Sequence, residues 1–135
     1  MGTRSTISMR NADYTVTSIY CHWDGYIRHH GPILLNHYNT LAKVKALIGL
    51  RSLSTLGHII GEKHHFDERF TTDIKPCTSH YRDRGERIKA YVGPLEGIDW
   101  QEYNYLFEDG KWKVCEDGVV WKDLSLEVVT DRLTA

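Results

Sequence analysis

The chain has few cysteines and no way of pairing all of them. Cys21, Cys77 and Cys115 are the three in 135 residues, and no CxxC spacing occurs. An odd set without metal-type spacing argues against a disulfide framework or a zinc site, and for free thiols in a reducing compartment. Long apolar runs are missing too, since nothing approaches the ~20 residues that a membrane-spanning helix needs. The opening residues, Met1-Gly2-Thr3-Arg4-Ser5, have no apolar signal core, so neither secretion nor a membrane partner is expected. Gly2 with Thr6 formally fits a myristoylation pattern, which we read as a chance match because strand-type residues follow.

An excess of one charge is also lacking. Lys and Arg number 17 against 18 Asp and Glu, a formal net charge of -1. No bulk field draws such a protein to nucleic acid or an anionic bilayer, so nucleic acid is not the favoured partner. Walker loops, GxGxxG, GxSxG and HExxH are all absent, and no cofactor or metal is expected. We find no internal repeat, linker or low-complexity segment.

Histidine and aromatic residues, by contrast, are plentiful: eight His, eight Tyr, four Trp and three Phe. Histidine is the side chain most easily recruited to ligand or proton work near neutrality. With 41% hydrophobic and 26% charged residues, the chain reads as one α+β domain over residues 1–135.

Residues 3–9 and 14–21 have β character around a turn at 10–13, which predicts an N-terminal hairpin. Gly31-Pro32 predicts a helix start, since proline suits the first helical position. Asn39-Thr40 caps a second apolar stripe (Leu41, Val44, Leu47, Ile48) that ends at Gly49. Residues 53–56 suggest a short helical turn, 61–87 a long loop with a strand inside 71–81, and 88–92 a short strand. The clearest element is a hairpin over residues 103–115 about Asp109-Gly110, a pair suited to a type I′ turn. That register sets Glu108 opposite Lys111, Phe107 opposite Trp112 and Tyr105 opposite Val114. Leu126, Val129 and Leu133 give a helical signal with Asp123 as cap, and a strand over 126–130 competes with it. The predicted fold is an antiparallel sheet, built from both hairpins, with two or three short helices packed on one face.

The densest chemistry is Ile19-Tyr20-Cys21-His22-Trp23-Asp24-Gly25-Tyr26, where an apolar strand end meets imidazole, carboxylate and aromatics. Loops on a rigid scaffold are where recognition concentrates. Alternate strand positions share a face, so His22 and Asp24 converge if extended geometry persists. An Asp-oriented imidazole is the unit of a general base, a metal ligand or a ligand grip. The plain alternative is that Asp24-Gly25 makes the turn and Trp23 plugs the core. His37 reads as a core-edge histidine that also has access to a ligand. His64-His65 and His29-His30 imitate metal sites, but neighbours on a strand or helix face different ways and cannot share one ion. Cys21 beside His22 fails as a nucleophile and base for the same reason.

Arg82-Asp83-Arg84-Gly85-Glu86-Arg87 places two guanidinium forks on one side of an extended segment, a shape suited to phosphate or carboxylate. A surface ion-pair lattice is the competing reading. Arg4, in the first strand, is a companion candidate.

Gly2-Thr3-Arg4-Ser5, the Ile19 to Tyr26 block, Gly31, Leu34-Leu35, His37-Tyr38, Gly61-Glu62-Lys63-His64, Arg82-Asp83-Arg84-Gly85-Glu86 and Tyr105-Leu106-Phe107 together resemble a family of small proteins carried by bacteriophages and prophages. The likeness spans most of the chain, leaving out residues 87–101 and the tail. It implies expression in the cytoplasm of an infected bacterial host, and supplies context rather than mechanism. Short phage accessory proteins without an enzyme signature often act by binding, an analogy of lifestyle.

The expectation is therefore a binding protein that counters a host defence and does no chemistry of its own. It would inhibit a defence protein complex, such as a CRISPR effector, or sequester a nucleotide signal. Its face would combine Arg4, His22, Trp23, Asp24, Tyr26, His37, Arg82, Asp83 and Arg84, with the arginines on phosphates or acidic side chains and the aromatics stacking. The alternatives are a small metal-assisted hydrolase or nuclease using His22 and Asp24, and a homo-oligomer whose aromatic surface is its subunit interface.

Overall fold

A computed structural model describes residues 2–116 and 118–125. Strands β1 (Ser5–Arg10) and β2 (Val16–Cys21) form the expected antiparallel hairpin, with Ser5 opposite Cys21 and Arg10 opposite Val16. Asp13 fastens its turn by accepting from the Thr15 amide at 3.1 Å and the Thr15 hydroxyl at 2.6 Å. Helices α1 (Ile27–His37) and α2 (Leu41–Ile48) follow, then β3 (Leu53–Thr55), β4 (Thr78–Ser79), α3 (His80–Arg84) and β5 (Tyr91–Gly93). A 3-10 turn at Leu95–Gly97 leads to β6 (Tyr103–Glu108), β7 (Lys111–Cys115) and β8 (Lys122–Asp123).

These strands make one mixed, mostly antiparallel sheet in the order β4-β3-β2-β1-β6-β7-β8, with β5 pairing the first half of β2. The 103–115 hairpin has the expected register, and Asp109 (φ 53°) with Gly110 (φ 74°) supplies the two positive φ angles of a type I′ turn. The two hairpins join through a parallel pairing of β1 with β6, which antiparallel reasoning did not anticipate.

Alternation along the strands divides the sheet into two unlike faces. On one, Ile7, Ile19, Cys21, Tyr105, Phe107, Trp112 and Val114 pack against Ile33, Leu34, Val44 and Leu47 of the helices. On the other, Thr6, Ser8, Ser18 and Asn104 are buried in a polar row. That row is satisfied from within: Thr6 donates to Asn104 Oδ1 at 2.9 Å, and Ser8 to Ser18 at 2.8 Å. Val16, Leu106 and Ile98 close it beside Trp100 and Trp121.

Three expectations are corrected. Helix α1 starts at Ile27, because the Tyr26 carbonyl accepts from both the His29 and His30 amides, so Pro32 lies inside the helix rather than at its start. Residues 53–55 form a strand, because Leu53 and Ser54 carbonyls accept from the His22 and Trp23 amides and tertiary pairing outweighs a short helical pattern. Residues 80–84 are helical rather than extended: the Ser79 hydroxyl caps the Arg82 amide at 3.0 Å, and Gly85 (φ 80°) ends the turn. Helix α2 keeps its expected Thr40 cap. Asp123 belongs to β8, and the helical signal at Leu126, Val129 and Leu133 lies outside the described residues.

Candidate functional site

Beyond Cys21 the chain stays zipped to β3 through His22 and Trp23, then bends at Asp24, whose φ is 58°. The Gly25 amide donates to the Thr3 carbonyl at 2.8 Å, and the Gly25 carbonyl accepts the buried Tyr105 hydroxyl at 2.6 Å. A Cβ on Gly25 would stand 2.7 Å from Ser5 Cβ and 2.8 Å from the Thr3 carbonyl. Only glycine lets this turn lie flat on β1.

Beneath the turn runs a chain of hydrogen-bonding groups. Ser5, 0% exposed, places its Oγ 3.2 Å from His30 Nε2, and His30 is likewise 0% exposed. His30 Nδ1 in turn lies 2.9 Å from His29 Nδ1. At the inner end Ser5 stands opposite Cys21, whose thiol donates to the Trp23 carbonyl at 3.7 Å, and at the outer end Asp24 acts on His29 through its charge. Burial, with the neighbouring His29, holds the His30 pKa well below the ordinary histidine value. Burial also lowers His29, although Asp24 opposes the shift. Burial pushes the Cys21 thiol up to about 12. The inner groups are therefore uncharged near neutral pH.

His29 opens into a cleft of about 600 Å³. Its lining is Asp24, His29, Ser54, Thr55 and Leu56, residues 66–71, and Lys75, Pro76 and Thr78. The cleft thus combines Arg69 and Lys75, the rings of Phe66 and Phe70, hydroxyls, and the carboxylates Asp24, Asp67 and Glu68. Next to Leu56 of this lining, a Cβ on Gly57 would meet the carbonyl carbon of Pro76 at 2.2 Å.

The expected site residues are distributed as follows. His22 and Asp24 do not pair: His22 Nδ1 is 2.7 Å from the Tyr20 hydroxyl, while Asp24 faces His29. Extended geometry stops at Asp24, so the alternation that would align them stops as well. Trp23 is 41% exposed and stands edge-on to His22, with ring centroids 4.7 Å apart. Arg4 is exposed and acts electrostatically on Tyr20. Tyr26 lies beneath the Arg28 guanidinium, at 5.2 Å, on the wall of a separate hollow with Tyr103. His37 packs edge-on against His58, at 5.2 Å, away from the cleft lining.

The arginine pair is divided. Arg82 donates to the carbonyls of Ile60, Gly61 and Cys77 and to both Asp83 oxygens, which occupies all five donors of a guanidinium. Asp83 is buried and also accepts from the amides of His64 and Ser79. Burial alone would raise its pKa; the Arg82 bond and those amides outweigh this and hold it below the usual carboxylate value. Arg82 and Asp83 are thus a clamp on the 60–64 segment. Arg84 stacks over Phe66 at 3.7 Å and pairs with Glu86, so it reaches the cleft through that ring.

Ser5, His29 and His30 are the groups that sequence reasoning missed. Adjacency on a helix rules out one shared metal ion, but not a bond between the two rings, and that distinction was the available signal. Among the described residues no group of three or more His, Cys, Asp or Glu stands together as metal ligands, and no helix is long and apolar enough to cross a membrane. In comparisons with known proteins no family model matches this chain, and neither does any curated protein or solved structure.

Proposed function

We propose that this chain is a phage- or prophage-encoded binding protein that counters a host defence by sequestering a small anionic ligand of the nucleotide class. The observation that carries this reading is the cleft beside the 22–26 turn. Its volume, about 600 Å³, falls within the roughly 300–1,000 Å³ of small-molecule sites. Arg69 and Lys75 offer charge to phosphates, Phe66 and Phe70 offer faces to a base, and Asp24, Asp67 and Glu68 offer acceptors to ribose hydroxyls. The stack of Arg84 on Phe66 stiffens one of those faces.

Isothermal titration against cyclic and ADP-ribose-derived nucleotides tests this directly. Binding should weaken about tenfold or more in Lys75→Ala, as expected for loss of a charged hydrogen bond. Absence of heat with every member of the panel would remove the sequestering function.

A second reading rests on Trp23, 41% exposed and edge-on to His22. An exposed indole is an anchor suited to a protein partner, which is the version in which a defence complex is inhibited. Capture of a defence protein from host cells, lost in Trp23→Ala, would favour it. The hydrolase alternative needs His22 and Asp24 to work together, and their separate partners speak against that. Phosphodiester cleavage abolished by His22→Ala would restore it.

A further inference from the structure

We propose that the cleft takes up its anionic ligand together with one proton, received by His29 and accommodated by a tautomer exchange in the buried His30–Ser5 pair. This rests on the cleft being an anion site, and it goes further by specifying the ligand's charge and how the protein answers it.

The geometry leaves little choice of wiring. With His29 Nδ1 and His30 Nδ1 2.9 Å apart, one hydrogen lies between them. In the first wiring His30 Nδ1–H donates to His29, His30 Nε2 accepts from the Ser5 hydroxyl, and His29 carries its proton on Nε2. In the second, His29 Nδ1–H donates to His30, and His30 Nε2–H donates to Ser5 Oγ across 3.2 Å. A cationic His29 carries hydrogens on both nitrogens and is compatible with the second wiring alone. Charging His29 from the first wiring therefore moves the His30 proton from Nδ1 to Nε2 and turns the Ser5 hydroxyl hydrogen away from His30, so that Ser5 Oγ accepts. The balance is simple: one proton enters from solvent and none leaves.

The groups around His29 explain why the proton needs a ligand. Tyr26 packs edge-on at 6.0 Å, His30 adjoins it on α1, and His58 opposes its charge from beyond β3. Asp24 favours that charge from the turn, and Asp67, Glu68, Arg69 and Lys75 line the same cleft. Burial outweighs Asp24 and favours the neutral ring. A phosphate beside it supplies the missing counter-charge. Lys75 and Arg69 bind the same phosphate with no change of protonation, so proton uptake is a signature of His29.

The test uses the whole chain and cyclic di-AMP, whose phosphodiesters stay ionised throughout the range, titrated at pH 5.5, 6.5 and 7.5. Repetition in buffers of unlike ionisation enthalpy counts the protons absorbed. We expect about one proton per ligand and an affinity that falls up to tenfold per unit rise in pH. His29→Gln, and to a smaller degree Ser5→Ala, should flatten that dependence while leaving weaker binding at pH 7.5. If either variant fails to fold, the ring ¹⁵N resonances of the unmodified protein decide: on binding, His29 should become protonated on both nitrogens and His30 should hold hydrogen on Nε2. Binding without proton uptake, or without a change at His30, would overturn this proposal and leave the anion site standing. No binding at any of the three pH values would remove both.

Discussion

The Tyr105 hydroxyl donates a 2.6 Å hydrogen bond to the Gly25 carbonyl, from the centre of β6 to the turn after β2. Tyr105 is 0% exposed, and its ring also lies 5.4 Å from His30. One side chain thus holds the turn and flanks the buried imidazole.

Tyr105→Phe should keep the packing and orphan the Gly25 carbonyl. We expect a loss of about 1–3 kcal/mol, the usual consequence of leaving a buried acceptor unsatisfied. Urea denaturation measures it, and amide exchange in the 22–26 turn should quicken. A variant as stable as the parent would show that the bond contributes nothing.

Gly25→Ala sets a methyl group against Ser5 Cβ and the Thr3 carbonyl. Overpacking of this kind costs about 1–3 kcal/mol. Because Ser5 Oγ would shift as well, the His30 ring ¹⁵N signals should change. Unchanged signals in a folded variant would contradict the contact.

Arg82→Lys keeps the charge and loses the fork that reaches three carbonyls and a carboxylate. With buried Asp83 deprived of its partner, stability should fall by about 2–4 kcal/mol, near the lower end for breaking a buried pair. Limited proteolysis should then cut first within residues 60–77. Equal resistance in both proteins would argue that the clamp is idle.

Acid should act in two stages. His30 is depressed by burial and His29, so below the ordinary histidine value of about 6.5 the unfolded chain binds a proton that the folded one refuses. Stability is thus complete above that pH and declines as pH drops towards the folded value, by at most about 1.4 kcal/mol per unit for each such group. Asp83, held low in the folded state, adds a second decline nearer pH 4, where the unfolded carboxyl protonates first. Denaturation between pH 8 and 3 measures both, and His30→Gln should reduce the upper stage, leaving the share of His29, and should not touch the lower one.

Legibility in the sequence followed the range of the interactions. The 103–115 hairpin and the α2 cap were readable because their determinants, Asp109-Gly110 and Thr40, lie next to what they control. Strand β3 was not, since its three residues are strand only by virtue of partners such as Cys21 and Ser79. The sequence around Arg82 shows a fork suited to an anion, but nothing local says that its acceptors are Ile60, Gly61 and Cys77 rather than a ligand. The His29–His30 contact escaped for a different reason. It depends on where α1 begins, and that start was placed at Gly31-Pro32 rather than Ile27.

The parallel pairing of β1 with β6 orders events in time. Each hairpin closes from neighbouring residues, within about 1–10 μs for such elements, whereas Ser5 meets Tyr103 only after the whole intervening chain has been gathered. Long-range closure of this kind comes late and sets the pace of folding. On the ribosome, the elbow at Gly25 stays without its tyrosine latch until the second half of the polypeptide has emerged. The turn beside the cleft is therefore completed by the last joint to close.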